Sequence, residues 1–462
     1  MMTQLHNRPA SDEFSDWDTP PESTRLVSYS IPMTGVTGRQ FLASGEGQAR
    51  FCWHTPHEFF AGIGTAAQIS AWGSNRFEKI QHDAAELFRD AIVSHKQAVP
   101  RLFGGFAFSP NFIPDNTWTV YSPAEFVLPH YQYTQIGPDA WLTINVLVAA
   151  DEPFDEAELH AALHERAHQL QQIALPDPTP LLLKDIRYPM SFEKWAARIH
   201  EAVEQFRAGV MKKVVLARVC ELTFEQSVSL DRALAYLDDH YAESHRFLFE
   251  ATPHHAFYGA TPELLVRVQG DQIRTMGLAG SFRRGKTPDE DDALAHQFLN
   301  DPKERFEHAV VVNELRERLL PHVAELNIPD GPEVLKLSNI QHLHTPIHGR
   351  LQSKSGVLPL VELLHPTPAL GGSPRDKALA FIDHAEPVPR GWYAGPVGWL
   401  DPNLDGAFAV AIRSAVTQDR RVWCYSGAGI VADSIPQKEW DETALKFRPM
   451  LNALGVSNDM RA

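Results

Sequence analysis

The stretch Lys213-Val-Val-Leu-Ala-Arg-Val-Cys-Glu-Leu-Thr-Phe224 decides the fold class, because its many β-branched residues predict a strand. The segment just before it, from Ser191 to Ala208, has a helical pattern that starts on a serine cap and stops at Gly209. The chain goes on mixing predicted strands and helices in this way as far as Leu454. The sequence therefore predicts a mixed α/β protein.

Other parts of the chain predict further elements and three regions. We expect a flexible tail at residues 1–24, an N-terminal part of the α/β body at 25–185, and a catalytic region at 186–456. The segment 176–180, Pro-Asp-Pro-Thr-Pro, is typical of a linker. The predicted helices are 76–93, 156–173, 191–208, 289–299, 302–325 and 437–454, and the predicted strands are 101–109, 118–128, 141–149, 213–224, 246–251, 264–268, 272–276, 408–416 and 421–425.

The composition excludes several classes of protein. The chain has 462 residues, of which 44% are hydrophobic, and a formal charge of -16. It shows no basic cluster of the kind that binds nucleic acid. Its three cysteines are far apart, which argues against a disulfide framework, and no apolar run approaches the ~18 residues of a membrane helix. Residues 1–24 have no apolar core of a signal peptide, so we expect a cytoplasmic protein that binds neither nucleic acid nor membranes.

Two motifs are better explained by ordinary structure. Residues 62–67, Gly-Ile-Gly-Thr-Ala-Ala, match a dinucleotide-binding loop, but Gly73 and Ser74 interrupt the helix that must follow. A tight turn is the favoured interpretation. His342, His344 and His348 cluster, but Pro346 prevents the helix that a zinc site would need there.

Acidic residues recur at helical spacing in two places. Glu304 and Glu307 are three residues apart in one predicted helix, and Glu439 and Glu442 repeat the spacing in another, with Lys446 one turn further on. Two such helices could converge on a hard cation such as Mg²⁺. Spacing alone favours the ordinary alternative, in which these residues cap and pair within their own helices.

Several other residues allow a functional and an ordinary interpretation. Lys213 follows Lys212 at the start of a strand, and burial would lower its pKa as a general base requires. Glu263 stands at the start of another strand and would act as an acid if buried. Glycines near Gly280 and Gly427 could expose backbone N–H groups to an anion. Arg413 is placed within the predicted strand 408–416. From the residues alone, a solvated strand end is the favoured interpretation of Lys213 and an exposed turn that of Glu263, while Arg413 could face either way.

Together these pieces resemble the chorismate-binding enzymes, which include isochorismate, salicylate and anthranilate synthases. The resemblance runs from about Ser191 to Leu454. It is carried, in family order, by residues 213–218 (KVVLAR), 259–265 (GATPELL), 278–281 (LAGS), 304–308 (ERFEH), 341–343 (QHL), 365–372 (HPTPALGG), 411–413 (AIR), 426–429 (SGAG) and 439–443 (EWDET). Met276-Gly277 departs from the usual pattern just before Leu278.

The resemblance implies two stacked, mainly antiparallel sheets with helices outside. It also implies Mg²⁺-dependent conversion of chorismate to isochorismate. Lys213 would be the base that activates water, and Glu263 the acid that protonates the departing hydroxyl. Glu307 and Glu442 would hold Mg²⁺, supported by Glu304 and Glu439. The residues implied in binding substrate are Gly280, His342, Ala369, Leu370, Arg413, Gly427 and Lys446.

The resemblance leaves neighbouring activities open. A salicylate synthase would add pyruvate elimination, and the segment His365–Gly372 favours isochorismate synthases instead. An aminating synthase would take ammonia from a glutaminase; the sequence contains no such domain, and we expect no such partner. A non-catalytic binder is disfavoured because both Lys213 and Glu263 are present. The stretch Trp392–Trp399 resembles the menaquinone-pathway members, and a siderophore-pathway isochorismate synthase remains the alternative.

Overall fold

A computed structural model of the protein describes residues 24–115, 117–149, 153–175, 180–338 and 340–456. The predicted tail therefore lies outside the described residues, apart from Thr24, which begins the first strand. Residues 176–179 of the predicted linker lie outside them as well.

The first sheet contains 13 strands in the described part of the chain, in the order β10-β11-β23-β22-β13-β12-β2-β3-β8-β9-β1-β5, with β19 beside β11. All its pairings are antiparallel except that of β1 with β5. Its strands are β1 (Thr24–Pro32), β2 (Arg50–His54), β3 (Glu58–Ile63), β5 (Ile92–Val93), β8 (Tyr131–Ile136), β9 (Asp139–Ala149), β10 (Leu183–Arg187), β11 (Lys213–Phe224), β12 (His245–Thr252), β13 (His255–Thr261), β19 (Gly372–Ser373), β22 (Ser414–Gln418) and β23 (Arg421–Ile430).

The second sheet is antiparallel and contains ten strands within the same ranges, in the order β16-β18-β15-β14-β21-β20-β6-β7-β4, with β17 beside β18. Its strands are β4 (Ala67–Ala71), β6 (Leu102–Phe106), β7 (Ala124–Leu128), β14 (Leu264–Gln269), β15 (Gln272–Arg283), β16 (Val323–Asn327), β17 (Glu333–Lys336), β18 (Ile340–Leu351), β20 (Pro396–Leu400) and β21 (Gly406–Val410). Both sheets thus contain strands from either side of residue 185.

Ten α-helices are described: α1 (Gly38–Ala43), α2 (Arg76–Phe88), α3 (Glu156–Gln171), α4 (Phe192–Arg207), α5 (Leu230–His240), α6 (Pro288–Asn300), α7 (Pro302–Leu319), α8 (Leu358–Leu364), α9 (Arg375–Ala385) and α10 (Pro436–Ala453). Helices α1, α3, α5 and α10 contribute to one core on the first sheet. Helices α2, α7 and α8 pack against strands of the second sheet. No helix of the described residues is long and apolar enough to cross a membrane.

Aromatic side chains fill the space between the two sheets. Phe51 of the first sheet stacks on Phe103 of the second, with ring centres 6.2 Å apart. Phe60 meets Trp399 edge to face at 5.2 Å. Such rings bury a large apolar area in a defined geometry, so they hold the sheets face to face. The prediction of two stacked, mainly antiparallel sheets with helices outside is confirmed.

The structure corrects several predicted boundaries. The helix predicted at 302–325 ends at Leu319, passes through a 3₁₀ turn at Leu320–His322 and continues as strand β16. The helix predicted at 76–93 ends at Phe88, and Ile92–Val93 form β5. The motif Ser426–Gly429 is not a turn after a strand but lies inside β23. The motif at residues 62–67 is the end of β3 followed by a turn at Gly64, as favoured from the sequence.

The prediction of one strand over residues 408–416 is wrong, because two strands of different sheets divide this run. The chain leaves the second sheet after Val410 and enters the first sheet at Ser414. Arg413 lies between these strands with a φ of 51°, in the left-handed region that a side chain with a Cβ disfavours. Its position is thus set by a crossing between sheets and not by a strand face.

A buried ion pair links an early strand to a later one in the first sheet. Arg50 of β2 donates from Nε to Glu250 Oε2 of β12 at 2.6 Å, and the two side chains are 4% and 1% exposed. We expect Glu250→Ala to lower the free energy of unfolding by about 3 kcal/mol, because it removes the closer of the two acidic partners of a buried cation, which keeps Asp231 at 3.2 Å. Urea titration measures this change. In the exposed pair Arg350–Glu325, Glu325→Ala should cost less than about 1 kcal/mol, and equal losses would contradict the prediction.

Candidate active site

Two places where the chain crosses between the sheets supply central side chains of one cavity. Glu263 lies between β13 of the first sheet and β14 of the second. Arg413 lies between β21 of the second and β22 of the first. Lys213 is the first residue of β11, whose pairing with β23 runs from Val214–Ile430 onward. Side chains from both sheets are thereby brought to a common end of the sandwich.

The cavity is lined by all thirteen residues that the sequence singled out. They come from strands, loops and two helices that are distant in sequence, and they are Lys213, Glu263, Gly280, Glu304, Glu307, His342, Ala369, Leu370, Arg413, Gly427, Glu439, Glu442 and Lys446. The structure brings these positions together, while the role of each residue stays a prediction.

Burial shifts the pKa values of Lys213 and Glu263 in opposite directions. The pKa of Lys213 is lowered by burial, which outweighs the nearby charge of Glu307. Burial raises the pKa of Glu263 to about 8, against the opposing effect of the Lys213 charge. Glu263 is 6% exposed as a residue, and its backbone N–H donates to Thr261 Oγ1 at 3.2 Å. Near neutral pH the pocket thus favours a protonated carboxyl and eases loss of a proton from the amine.

Lys446 connects helix α10 to strand β23. Its Nζ lies 2.6 Å from Glu442 Oε1 and donates to the Gly427 carbonyl oxygen at 3.0 Å. Burial alone would raise the pKa of Glu442, but the Lys446 charge lowers it below its usual value. Glu442 is therefore ionised, and the predicted helix ion pair exists but lies inside the cavity.

The other carboxylates of the cavity repel one another. Burial and the neighbouring charge of Glu307 raise the pKa of Glu304 to about 7, and Glu439 is raised to about 7 by burial and by Glu442. Glu304 reaches the backbone of Gly280, whose φ is +70°; a Cβ there would come within 2.5 Å of Glu304 Oε2. Glycine at this position leaves room for the carboxylate.

The carboxylates suit a hard divalent cation by donor type. Glu304 and Glu439 are partly buried and have pKa values raised in part by a neighbouring carboxylate, so a cation between them would relieve repulsion. No three His, Cys, Asp or Glu side chains in the described ranges already form a complete metal cage. A bound Mg²⁺ would thus need ligands from water and substrate, as Mg²⁺ commonly has.

His342 is a neutral acceptor within the cavity. Its Nδ1 donates to the Gly280 carbonyl oxygen at 2.8 Å, and burial lowers its pKa to about 3. Among the described residues, its buried Nε2 has no hydrogen-bond partner.

The backbone N–H of Leu370, another residue that lines the cavity, already donates to the Thr367 carbonyl oxygen at 3.0 Å. Leu370 therefore shapes the cavity, and its own amide is not free to hold a carboxylate.

Sequence reasoning missed further lining residues. Lys303 precedes Glu304 and adds a positive charge at the carboxylate cluster. Tyr393 lies in the quoted stretch Trp392–Trp399 and stacks on Tyr425, with ring centres 5.1 Å apart. A lysine beside a helix cap and an aromatic residue in an apolar run are common core and surface patterns. Only their positions next to residues of the family motifs could have indicated that Lys303 and Tyr393 line the cavity.

Ionisable groups with opposed pKa shifts in one enclosed cavity are typical of an enzyme that uses acid–base chemistry. Comparison with known proteins then defines the kind of enzyme. The model of the family described as "Chorismate binding enzyme" matches residues 13–455. The chain therefore belongs to the chorismate-binding enzyme family, as the sequence motifs predicted.

Individual relatives agree over nearly the whole chain. The isochorismate synthase MenF of Bacillus subtilis is 33% identical over 446 residues, 93% of each chain. The salicylate biosynthesis isochorismate synthase of Pseudomonas aeruginosa is 35% identical, over 93% of this chain and 90% of that one. The solved structure of MenF, the menaquinone-specific isochorismate synthase of Escherichia coli, superposes with a TM-score of 0.79 at 26% identity, over 94% of this chain and 95% of that one.

The two adjacent lysines give a matched test of the site. Lys213 lines the cavity, whereas Lys212 is exposed. We expect Lys213→Ala to lower kcat at least about 100-fold, the usual contribution of a general base, and Lys212→Ala to leave it within about twofold. Steady-state kinetics with chorismate measures both. Equal losses in the two variants, or a loss in Lys212→Ala alone, would contradict the assignment.

Proposed function

We propose that the protein is an isochorismate synthase, which converts chorismate to isochorismate. One observation carries the proposal: Lys213 and Glu263 share a cavity and have pKa values shifted in opposite directions. Relatives that cover more than nine-tenths of the chain bear the name isochorismate synthase, which supports the same activity. The chemistry needs a base for water and an acid for a leaving hydroxyl.

Lys213 and Glu263 divide the proton transfers between them. Lys213, once neutral, takes a proton from the water that attacks C2 of the ring. Glu263, protonated up to a pH of about 8, gives its proton to the hydroxyl leaving C4. Activity should rise as Lys213 loses its proton and fall as Glu263 loses its own. In the reverse reaction the two groups exchange roles, so the conversion is reversible.

Cationic and neutral groups around the cavity suit a dianionic substrate. Arg413 is 6% exposed and its guanidinium stays charged, although burial lowers its pKa. Arg413 and Lys446 would bind the carboxylates, together with backbone at Gly280, Ala369 and Gly427. The unpaired Nε2 of His342 would accept a hydrogen bond from a ring hydroxyl. In a protein with a charge of -16, these local cations are what permits an anion to bind.

Glu307 and Glu442 are the residues that we propose hold Mg²⁺, with Glu304 and Glu439 orienting its bound waters. When bound, Mg²⁺ would neutralise a substrate carboxylate and fix the ring in place. The glutamates of α7 and α10 line the cavity together, which supports this arrangement.

We further propose that the product feeds menaquinone synthesis in the cytoplasm. The stretch Trp392–Trp399 supports this choice. The relative named for salicylate biosynthesis is 35% identical to this chain, and the solved structure named menaquinone-specific is 26% identical, so the pathway stays a prediction.

Product analysis tests the proposed activity. Incubation with chorismate and Mg²⁺ should give isochorismate without stoichiometric pyruvate, because the reaction only moves a hydroxyl group. Chromatography of the products and a pyruvate assay measure the outcome, and purified isochorismate should return chorismate. Pyruvate with salicylate would move the assignment to a salicylate synthase. Consumption of ammonia would indicate an aminating synthase.

Removal of the metal or its ligands tests the cation. EDTA should abolish turnover, and Mg²⁺ should restore it. Glu307→Ala and Glu442→Ala should each lower kcat at least about 100-fold and weaken Mg²⁺ binding measured by calorimetry, since each removes a charged oxygen ligand. Glu325→Ala, on an exposed strand outside the cavity, is the control for acidic residues. Full activity of either cavity variant in EDTA would refute the metal assignment.

A further inference from the structure

We propose that the buried ion pair Glu386–Arg390 is a positioning device, which fixes strand β11 of Lys213 against the turn that carries Ala369 and Leu370. This inference rests on the proposed function, in which Lys213 is the base. Neither residue of the pair lines the cavity, so each would act through the groups it holds.

The pair holds three separate backbone groups. Arg390 binds Glu386 with two bonds, Nε to Oε2 at 2.9 Å and Nη2 to Oε1 at 2.6 Å. The same guanidinium donates to the carbonyl oxygens of Leu370 at 2.9 Å and of Val215 at 2.8 Å. Glu386 Oε1 accepts the Ala217 N–H at 2.7 Å. One ion pair therefore ties the cavity turn to the strand of the base.

The location of the pair explains why β11 needs it. Along one edge of β11, strand β19 pairs with Lys213 and Val214, and β10 pairs with residues 221–224. Between these two short partners, the Val215 N–H donates to the Gly371 carbonyl oxygen at 2.9 Å. The Val215 carbonyl oxygen and the Ala217 N–H have Arg390 and Glu386 as hydrogen-bond partners in place of a neighbouring strand. Buried backbone groups need such partners, so the pair completes the edge where a strand is missing.

The pair is rigid enough to set a position. The side chains of Glu386 and Arg390 are 5% and 3% exposed, and the Arg390 guanidinium carbon lies 4.3 Å from the centre of the Phe108 ring. Glu386 follows the last residue of α9, a helix that packs on β11. A planar guanidinium can make these several bonds at once, whereas a lysine ammonium in the same place cannot reproduce their geometry.

Loosening the pair should change the environment of Lys213. Lys213 lies two residues before Val215 on the same strand, and burial is what lowers its pKa. If the strand edge opens, water reaches the amine and its pKa rises toward that of a free lysine. The base is then protonated over a wider range, and the acidic limb of the pH–rate profile moves to higher pH. An ion pair that only stabilised the fold would leave the acidic limb of the pH–rate profile in place.

The test compares Arg390→Lys and Glu386→Gln with Arg50→Lys, which makes the same substitution in a buried pair outside the cavity. We expect both variants of the pair to lower kcat about tenfold or more and to move the acidic limb up by about one pH unit. Arg50→Lys should lower thermal stability and leave the limb in place. The rate of Lys213 acetylation against pH, followed by mass spectrometry, reports the same shift without turnover.

The outcomes separate the inference from the proposed function. Folded variants with an unchanged limb and an unchanged acetylation profile would overturn the positioning role. So would failure of both variants to fold while Arg50→Lys folds, since the pair would then serve folding alone. If the wild-type protein does not convert chorismate, the proposed function falls, and the acetylation profile still decides whether the pair controls Lys213.

Discussion

The pairing of β11 with β23 is the interaction on which the site depends. Ten residue pairs, from Val214–Ile430 to Thr223–Arg421, keep the two strands in one register. That register places Lys213 beside Gly429, where a Cβ would come within 3.1 Å of Lys213 Cε. Helix α10 is attached to the same strand through Lys446 and the Gly427 carbonyl oxygen. A one-residue slip would turn Lys213 to the other face and would detach α10 from its contact.

Burial of charge explains how an acidic chain can hold an anionic substrate. The cavity combines four cationic side chains, Lys213, Lys303, Arg413 and Lys446, with five glutamates. Desolvation disfavours the charged forms of Lys213 and Glu263. The same physical effect therefore lowers the pKa of Lys213, the proposed base, and raises that of Glu263, the proposed acid.

The sequence predicted regular elements better than the crossings between sheets. Lys213–Phe224 was predicted with its observed bounds, because β-branched residues persist along its whole length. The run 408–416 is also largely apolar, but Arg413, with its left-handed backbone, divides it between two sheets. Hydrophobic periodicity cannot predict such a turn. The thirteen cavity positions came from family resemblance; their spacing alone also fitted caps and surface ion pairs. Glu386 and Arg390 were missed because an i, i+4 pair of opposite charge is typical of exposed helices.

The backbone that carries Lys213 and Glu263 is held differently from the helices that carry the other glutamates, and this difference suits their proposed roles. Lys213 lies on a strand paired on both edges, and Glu263 at a crossing where its carbonyl oxygen accepts the Val410 N–H at 3.0 Å. Proton transfer requires such fixed distances, and strands provide them better than loops do. The glutamates lie on α7 and α10, each packed on a sheet by one face. Glu442 is paired with Lys446, whereas the pKa values of Glu304 and Glu439 are raised by burial and by neighbouring carboxylates. A cation between the two helices would relieve this remaining repulsion, so the carboxylate cluster is the part of the cavity that a bound ligand would stabilise most.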